Sequence, residues 1–367
     1  MKKIALHGSY YGDNFGDTLF VIHFLKWIYK ENEDIEVYLP FASDRVRKLV
    51  NASGIKGINS LMTAKCVVFF GGGYLGEPTI KNSIWSYRLI IRHLSIALFC
   101  YLLKKPYIFI GVGAGPLSHP IARKLTVFLC NRSKKTIVRD KESKQYLLSY
   151  GVKEEKIILT ADSILTFDES NVETKESLKM KKLLKKDDNN KVTLIGVHLP
   201  ATKEFENKLE VLLTDLKRYC DSLKKYKLVI FNDFYKEGYE YIAKDKIEML
   251  FEKNEYTEVP YESPDQLIAL INELDIVLTT KLHCGIVANC LNKYTLSISV
   301  HNKTKRLYEQ IELSERNISL SNYESNDLDN MLKEYLANTK ENVPNIIREK
   351  SFENMIYLNN FIKEYGN

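Results

Sequence analysis

Apolar strands in this chain keep ending in the same way. Residues 3–7 run into Gly8-SYY-Gly12-DNF-Gly16-Asp17, residues 66–70 into Gly71-Gly72-Gly73-Tyr74-Leu75-Gly76-Glu77, and residues 107–110 into Gly111-Val-Gly-Ala-Gly115-Pro116. Runs of four to six apolar residues are too short for core helices. Bounded by glycine turns and followed by helical patterns, they read as parallel strands buried on both faces. A repeated strand–turn–helix unit builds a doubly wound parallel sheet, which binds ligands outside the carboxyl ends of its strands.

The pattern occurs twice. Strands at 3–7, 36–39, 66–70, 107–110 and 136–139, with helices reaching Tyr29 and Tyr150, form a first alternating half. Residues 168–191 (DESNVETKESLKMKKLLKKDDNNK) are charged and poor in β-formers, and read as a connection carrying a solvated helix. Strands at 192–197, 227–231, 258–260, 276–280 and 295–300 make the second half. A chain of 367 residues exceeds one ordinary core. The expected fold is α/β, two Rossmann-like domains facing a cleft. Residues 1–168 form the N-terminal domain, 169–190 the charged connection and 191–342 the C-terminal domain. Residues 343–367 form a last helix that packs back on the first domain.

Composition narrows the function. Hydrophobic residues at 45% and charged residues at 27% are globular values. A net charge of +6 suits anionic ligands or an anionic lipid face, but no nucleic-acid signature accompanies it. The six cysteines show no CxxC pair and no metal-type spacing, as expected for reduced thiols in a cytoplasmic protein. No HExxH or Cys/His cluster suggests a metal. The amino terminus lacks the apolar core of a signal peptide. Residues 84–103 are strongly apolar, yet Arg88, Arg92 and His93 interrupt them before the ~20 residues a bilayer requires. They read as a buried crossover helix, the alternative being an amphipathic helix on the cytoplasmic leaflet.

Chemistry concentrates in residues 274–305. The strand at 276–280 ends in Lys281-x-His283 and leads into a short apolar helix at 285–291. The strand at 295–300 empties into His301, Lys303 and Lys305. Cations around an imidazole at strand ends suit an anionic substrate and proton transfer. Gly71-x-Gly73-x-x-Gly76 matches a dinucleotide fingerprint only in its glycines, because no acidic residue follows at the next strand end. No Walker lysine exists.

Taken in order, these elements resemble the polysaccharide pyruvyl transferases. The matching parts are G-x-x-x-G-D-N-x-G-D at 8–17, the triple glycine at 71–73 and GVGAGP at 111–116. They continue with Arg139-Asp140, Ser143 and Gly151, then Ala161-Asp162, then Leu282-His283 with a downstream lysine. The resemblance implies a glycosyltransferase-B-like fold, with the donor site in residues 191–342. It also implies transfer of the enolpyruvyl carbons of phosphoenolpyruvate to a sugar as a cyclic ketal, during cell-surface polysaccharide synthesis. Phosphoenolpyruvate is then a co-substrate, with no cofactor and no metal. The acceptor is a lipid-linked or nucleotide-linked sugar, and the enzyme is cytoplasmic with a peripheral contact at the inner membrane face.

On this reading His283 is the catalytic proton-transfer residue. Arg139, Lys281, Lys303, Lys305 and the backbone at Gly72, Gly73 and Gly12 bind the donor. Asn14, Asp17 and Glu77 contact the acceptor. The family motif has arginine where this chain has Lys281, which replaces a bidentate fork by a point charge. Blander roles stay open beside these. Asp17 can cap the first helix, Arg139-Asp140 can be a cap with a structural ion pair, Asp162 can be a turn residue, and Cys284 can be core. Two other functions fit the same fold. One is a nucleotide-sugar glycosyltransferase, for which Asp233 and Glu237 after the 227–231 strand offer carboxylates. The other is a non-catalytic glycan-binding scaffold.

Overall fold

The computed structural model describes residues 1–11, 14–52, 54–77, 83–184, 192–199, 206–234, 242–299, 302–333 and 342–367. The chain divides into two compact units, residues 1–166 with 345–367, and residues 167–344.

The first unit holds a six-stranded sheet of β1 (Lys2–His7), β2 (Ile35–Tyr38), β3 (Cys66–Phe70), β4 (Tyr107–Val112), β5 (Thr136–Val138) and β6 (Ile157–Leu159). Every pair is parallel, in the order β2-β1-β3-β4-β5-β6. β3 and β4 are buried along their whole length, which is why their sequences are unbroken apolar runs. Its helices are α1 (Phe15–Glu31), α2 (Asp44–Leu49), α3 (Gly57–Thr63), α4 (Ser83–Leu89), α5 (Ser95–Leu102), α6 (Pro120–Arg132) and α7 (Lys141–Tyr150). A π-helical turn at Ile90–Leu94 joins α4 to α5. Segment 84–103 is therefore a helix with one buried side. Leu89, Leu94, Ala97 and Cys100 pack inward, while Ile84, Trp85, Tyr87, Ile91 and Leu102 are exposed.

The second unit contains α8 (Thr174–Leu184), β7 (Thr193–His198), α9 (Glu206–Ser222), β8 (Tyr226–Phe231), α10 (Ile242–Leu250), β9 (Tyr256–Val259), α11 (Pro264–Glu273), β10 (Ile276–Thr279), α12 (Leu282–Cys290), β11 (Tyr294–Ser299), α13 (Asn302–Gln310), β12 (Asn317–Ser319) and α14 (Asp327–Lys333). Its parallel sheet has the order β12-β11-β10-β7-β8-β9. α12 starts at Leu282, three residues earlier than the sequence reading placed it, so His283 is helical. The last helix, α15 (Asn345–Tyr365), belongs to the first unit, where Asn354 Nδ2 donates to Ala161 O at 2.9 Å. Gly12, Val300, His301, Glu237 and the end of the charged connection lie outside the described residues.

Both sheets share one topological feature. The chain leaves β1 to one side for β2 and to the other for β3; it leaves β7 one way for β8 and the other way for β10. Such switch points open a crevice at the strand carboxyl ends. At β1/β3 the crevice is edged by Gly8 and Gly71–Gly73, and at β7/β10 by His198 and Lys281.

Candidate active site

At the second switch point, three neighbouring strands bring polar side chains together. His198 is the last residue of β7, Asp233 follows β8, and Lys281 follows β10 as the N-cap of α12. His198 Nε2 lies 3.2 Å from Asp233 Oδ1, and Lys281 Nζ lies 3.5 Å from the same oxygen. The Thr280 N–H donates to His198 O at 3.1 Å, tying the two strand ends together. Burial alone would raise the Asp233 carboxyl. The hydrogen bond and charge of His198, with the charge of Lys281, outweigh it and hold the group well below the usual carboxylate range. An ionised carboxylate only accepts, so Nε2 of His198 carries the proton facing it. His198 Nδ1 is buried and has no hydrogen-bond partner among the described residues.

Lys281 reaches outward from this base, with its side chain 48% exposed. No side chain caps α12. The first N–H groups of an uncapped helix and its dipole favour an anion, and Lys281 adds a full charge at the same place. His283 sits half-buried in that first turn. Cys284, next to it, is fully buried; burial first, then the Asp233 charge, pushes its thiol well up, so it is core rather than nucleophile. Lys303 and Lys305 stand on α13, beyond the next strand β11, and both are exposed. Lys305 pairs with Glu309 at 3.8 Å and borders a pocket of about 290 Å³ with Ser299, Asn302, Asn317 and Ser319. The structure thus joins Lys281 and His283 on one turn, and sets Lys303 and Lys305 on another.

The remaining candidates belong to the first unit. Asn14 caps α1, accepting from the Asp17 N–H at 2.9 Å, and its amide donates to Asp17 Oδ2 at 2.5 Å. Glu77 is buried; it accepts from the Ser86 hydroxyl, from the Ser118 N–H at 3.2 Å and from the Ser118 hydroxyl at 2.9 Å. As placed, it braces its loop. Gly72 is in the left-handed region, φ 77°, which an L side chain rarely adopts. The Arg139 guanidinium lies against bare glycine backbone: a Cβ on Gly113 would meet its Nε at 3.0 Å, and one on Gly73 its Nη2 at 3.4 Å. Nη1 bonds Asp162 at 2.8 Å and Nε lies 3.8 Å from Asp140, which also caps α7. Arg139 and Asp162 form a buried pair that organises the glycine loops.

Beside these loops lies a buried histidine pair. His7 Nε2 is 3.1 Å from His93 Nδ1, and His93 stacks on Tyr74 with ring centroids 4.1 Å apart. Burial lowers His7 from the ordinary 6.5 to about 3, and burial followed by the His7 charge lowers His93 well below its usual range. His198, His7 and His93 were missed from sequence as site residues, and Asp233 was read only as a carboxylate for a nucleotide sugar, not as the partner of Lys281. His198 and Asp233 obey the strand-end rule that picked Lys281, and His7 obeys it too.

A family model for polysaccharide pyruvyl transferase matches residues 14–302, 289 of 367 positions. The chain belongs to that family. No curated protein matches it. Among solved structures, the UDP-GlcNAc 2-epimerase of Neisseria meningitidis bound to UDP-GlcNAc is 15% identical, with a TM-score of 0.65 over 99% of this chain and 100% of that one. Anabaena Alr3699/HepE in complex with UDP and glucose is 12% identical, with a TM-score of 0.61 over 99% of both chains. The UDP-GlcNAc 2-epimerase of Methanocaldococcus jannaschii, in complex with UDP-GlcNAc and UDP, is 15% identical, with a TM-score of 0.56 over 98% of this chain and all of that one. At such identities the likeness is one of fold, two Rossmann-like domains of the glycosyltransferase-B kind.

Proposed function

We propose that this family member transfers the enolpyruvyl group of phosphoenolpyruvate to a sugar diol as a cyclic ketal. The observation that carries the reading is the first turn of α12, where an uncapped helix start, Lys281 and His283 share a few residues. Phosphoenolpyruvate presents a phosphate and a carboxylate, and the α12 N–H groups with Lys281 receive one of these anionic ends. Lys303 and Lys305, on α13 after the neighbouring strand β11, are the cations proposed for the other.

The chemistry needs a proton at the methylene carbon. Protonation there by His283 makes C2 electrophilic; one sugar hydroxyl adds to C2 and loses its proton. The C2–O bond to phosphate then breaks, phosphate leaves with its electron pair, and the second hydroxyl closes the ketal, losing its own proton. The net change is one phosphoenolpyruvate and one diol giving one ketal and one inorganic phosphate. Asp233 and His198 hold the Lys281 ammonium where the anion binds. Asn14 and Asp17, at the start of α1, are proposed to contact the acceptor, a lipid-linked or nucleotide-linked sugar.

A second reading is a nucleotide-sugar transferase, favoured by the UDP ligands of the structural neighbours. Thermal stabilisation separates them. A ligand that binds only the folded state at 100 times its dissociation constant adds about 2.7 kcal/mol. The expected result is a raised midpoint with phosphoenolpyruvate, lost in Lys281→Ala, and phosphate release with a sugar acceptor. A shift with UDP alone would transfer the assignment to nucleotide-sugar chemistry.

A further inference from the structure

The chain's positive charge has a single source. Residues 78–139 contain 11 Lys and Arg and no Asp or Glu, whereas the whole chain has 53 of the first kind and 47 of the second. Without that segment the protein would be net acidic. The segment comprises α4, the π turn, α5, β4 and α6, and its exposed side is mixed in character. Ile84, Trp85, Tyr87, Ile91 and Leu102 are exposed there, Ile91 at 70% and Leu102 at 68%. Interleaved with them, Arg88, Arg92 and Lys104 are exposed, and neighbouring α6 adds Ile121, Arg123, Lys124 and Arg132. Arg88 lies over the Trp85 ring at 5.0 Å, and Tyr87 meets His119 at the start of α6 edge-on at 5.1 Å.

We infer that this face docks the protein on an anionic lipid leaflet. Aliphatic and aromatic side chains flanked by Arg and Lys match the headgroup boundary, where apolar groups enter the acyl region and cations meet lipid phosphates. No described helix is long and apolar enough to cross a membrane, so the contact lies in the surface plane. A second copy fits the face poorly. A two-fold contact would press this cationic face against its own copy, with no acid in the segment to pair Arg88 and Arg92. Membrane docking does not depend on the pyruvyl-transfer reading, since it uses none of the residues assigned to donor or acceptor.

The test is flotation of the full chain with vesicles of phosphatidylcholine alone, or with about one-third phosphatidylglycerol, at low and high salt. Binding to the anionic vesicles only, suppressed by salt, is expected. Arg88→Glu with Lys124→Glu should lower the partition about 25-fold or more, at roughly fivefold per cation near the surface. Trp85→Ser with Ile91→Ser should weaken it while leaving the thermal midpoint in place. Failure to float, equal binding to both vesicle types, or indifference to both double variants would overturn the inference. So would a dimer that Trp85→Ser with Ile91→Ser dissolves, which would give the face to a second copy.

Discussion

At the scale of single residues, the same ion-pair vocabulary is used in opposite ways. Arg139 is buried, its charge met by Asp162 and Asp140. Removing one member of a buried pair strands the other charge, at a cost of about 3–5 kcal/mol. Arg139→Ala should therefore lower unfolding stability by that order in denaturant titration, and an unchanged midpoint would show the guanidinium is held for ligand instead. Lys281 has one acidic contact among the described residues and half of its side chain in solvent. Lys281→Arg should keep donor affinity in calorimetry, since the cation remains at the α12 start, while Asp233→Asn should weaken it about tenfold by releasing the ammonium. His283→Ala should abolish turnover with the fold retained. A parallel fall in stability would mark that histidine as structural.

At the scale of elements, pH dependence follows from how β1, the π turn and the triple-glycine loop are tied. His7 at the end of β1, His93 in the turn and Tyr74 after the glycines form one buried contact. His7 drops to about 3 and His23 to about 4, in each case chiefly by burial. A histidine lowered by folding is neutral in both states above pH 6.5. As pH falls from 6.5 towards those values the unfolded chain takes up protons first, so stability is lost, by about 1.4 kcal/mol per pH unit for each group. The thermal midpoint should be level between pH 7 and 8 and fall steeply below pH 6, and His93→Phe should flatten that fall. The same elements show what a sequence makes legible. Central strands such as Cys66–Phe70 are buried on both faces and stand out as apolar runs. β5 has only three residues but is fully buried and was legible; β6 and β12 are as short and partly exposed, so no apolar run marks them off from loop. Lys281 and His283 were legible because they share one turn. The contact of His198 and Asp233 with Lys281 depends on the order β10-β7-β8, which no local window contains.

At the scale of the whole molecule, the chain's ends belong to one folding unit. α15 comes after the entire second unit, yet it is part of the first. Its buried side consists of Met355, Leu358, Phe361 and Ile362, and Trp27 of α1 meets Phe352 edge-on at 4.9 Å. Polar bonds fix its register: the Thr160 hydroxyl donates to Asn354 Oδ1 at 2.9 Å, and the Ser351 hydroxyl donates to Asp162 O at 2.6 Å. Asp162 is also the partner of Arg139, so the helix supports the residue on which the glycine loops rest. Burying four large apolar side chains contributes about 6–12 kcal/mol, comparable to the whole stability of a domain. Removal of residues 345–367 should therefore leave the first unit unfolded, and proteolysis should then spare only residues of the second. A gentler variant separates packing from register. Asn354→Leu keeps the heavy-atom count but removes the amide donor to Ala161 O and the acceptor of the Thr160 hydroxyl. Only the longer Thr160 contacts to Val138 O at 3.3 Å and Ala161 O at 3.5 Å remain, so the variant costs at most about 1–3 kcal/mol for each group left unsatisfied. It should lower the thermal transition of the first unit and leave that of the second in place. If both transitions moved together, the two units would have to unfold as one.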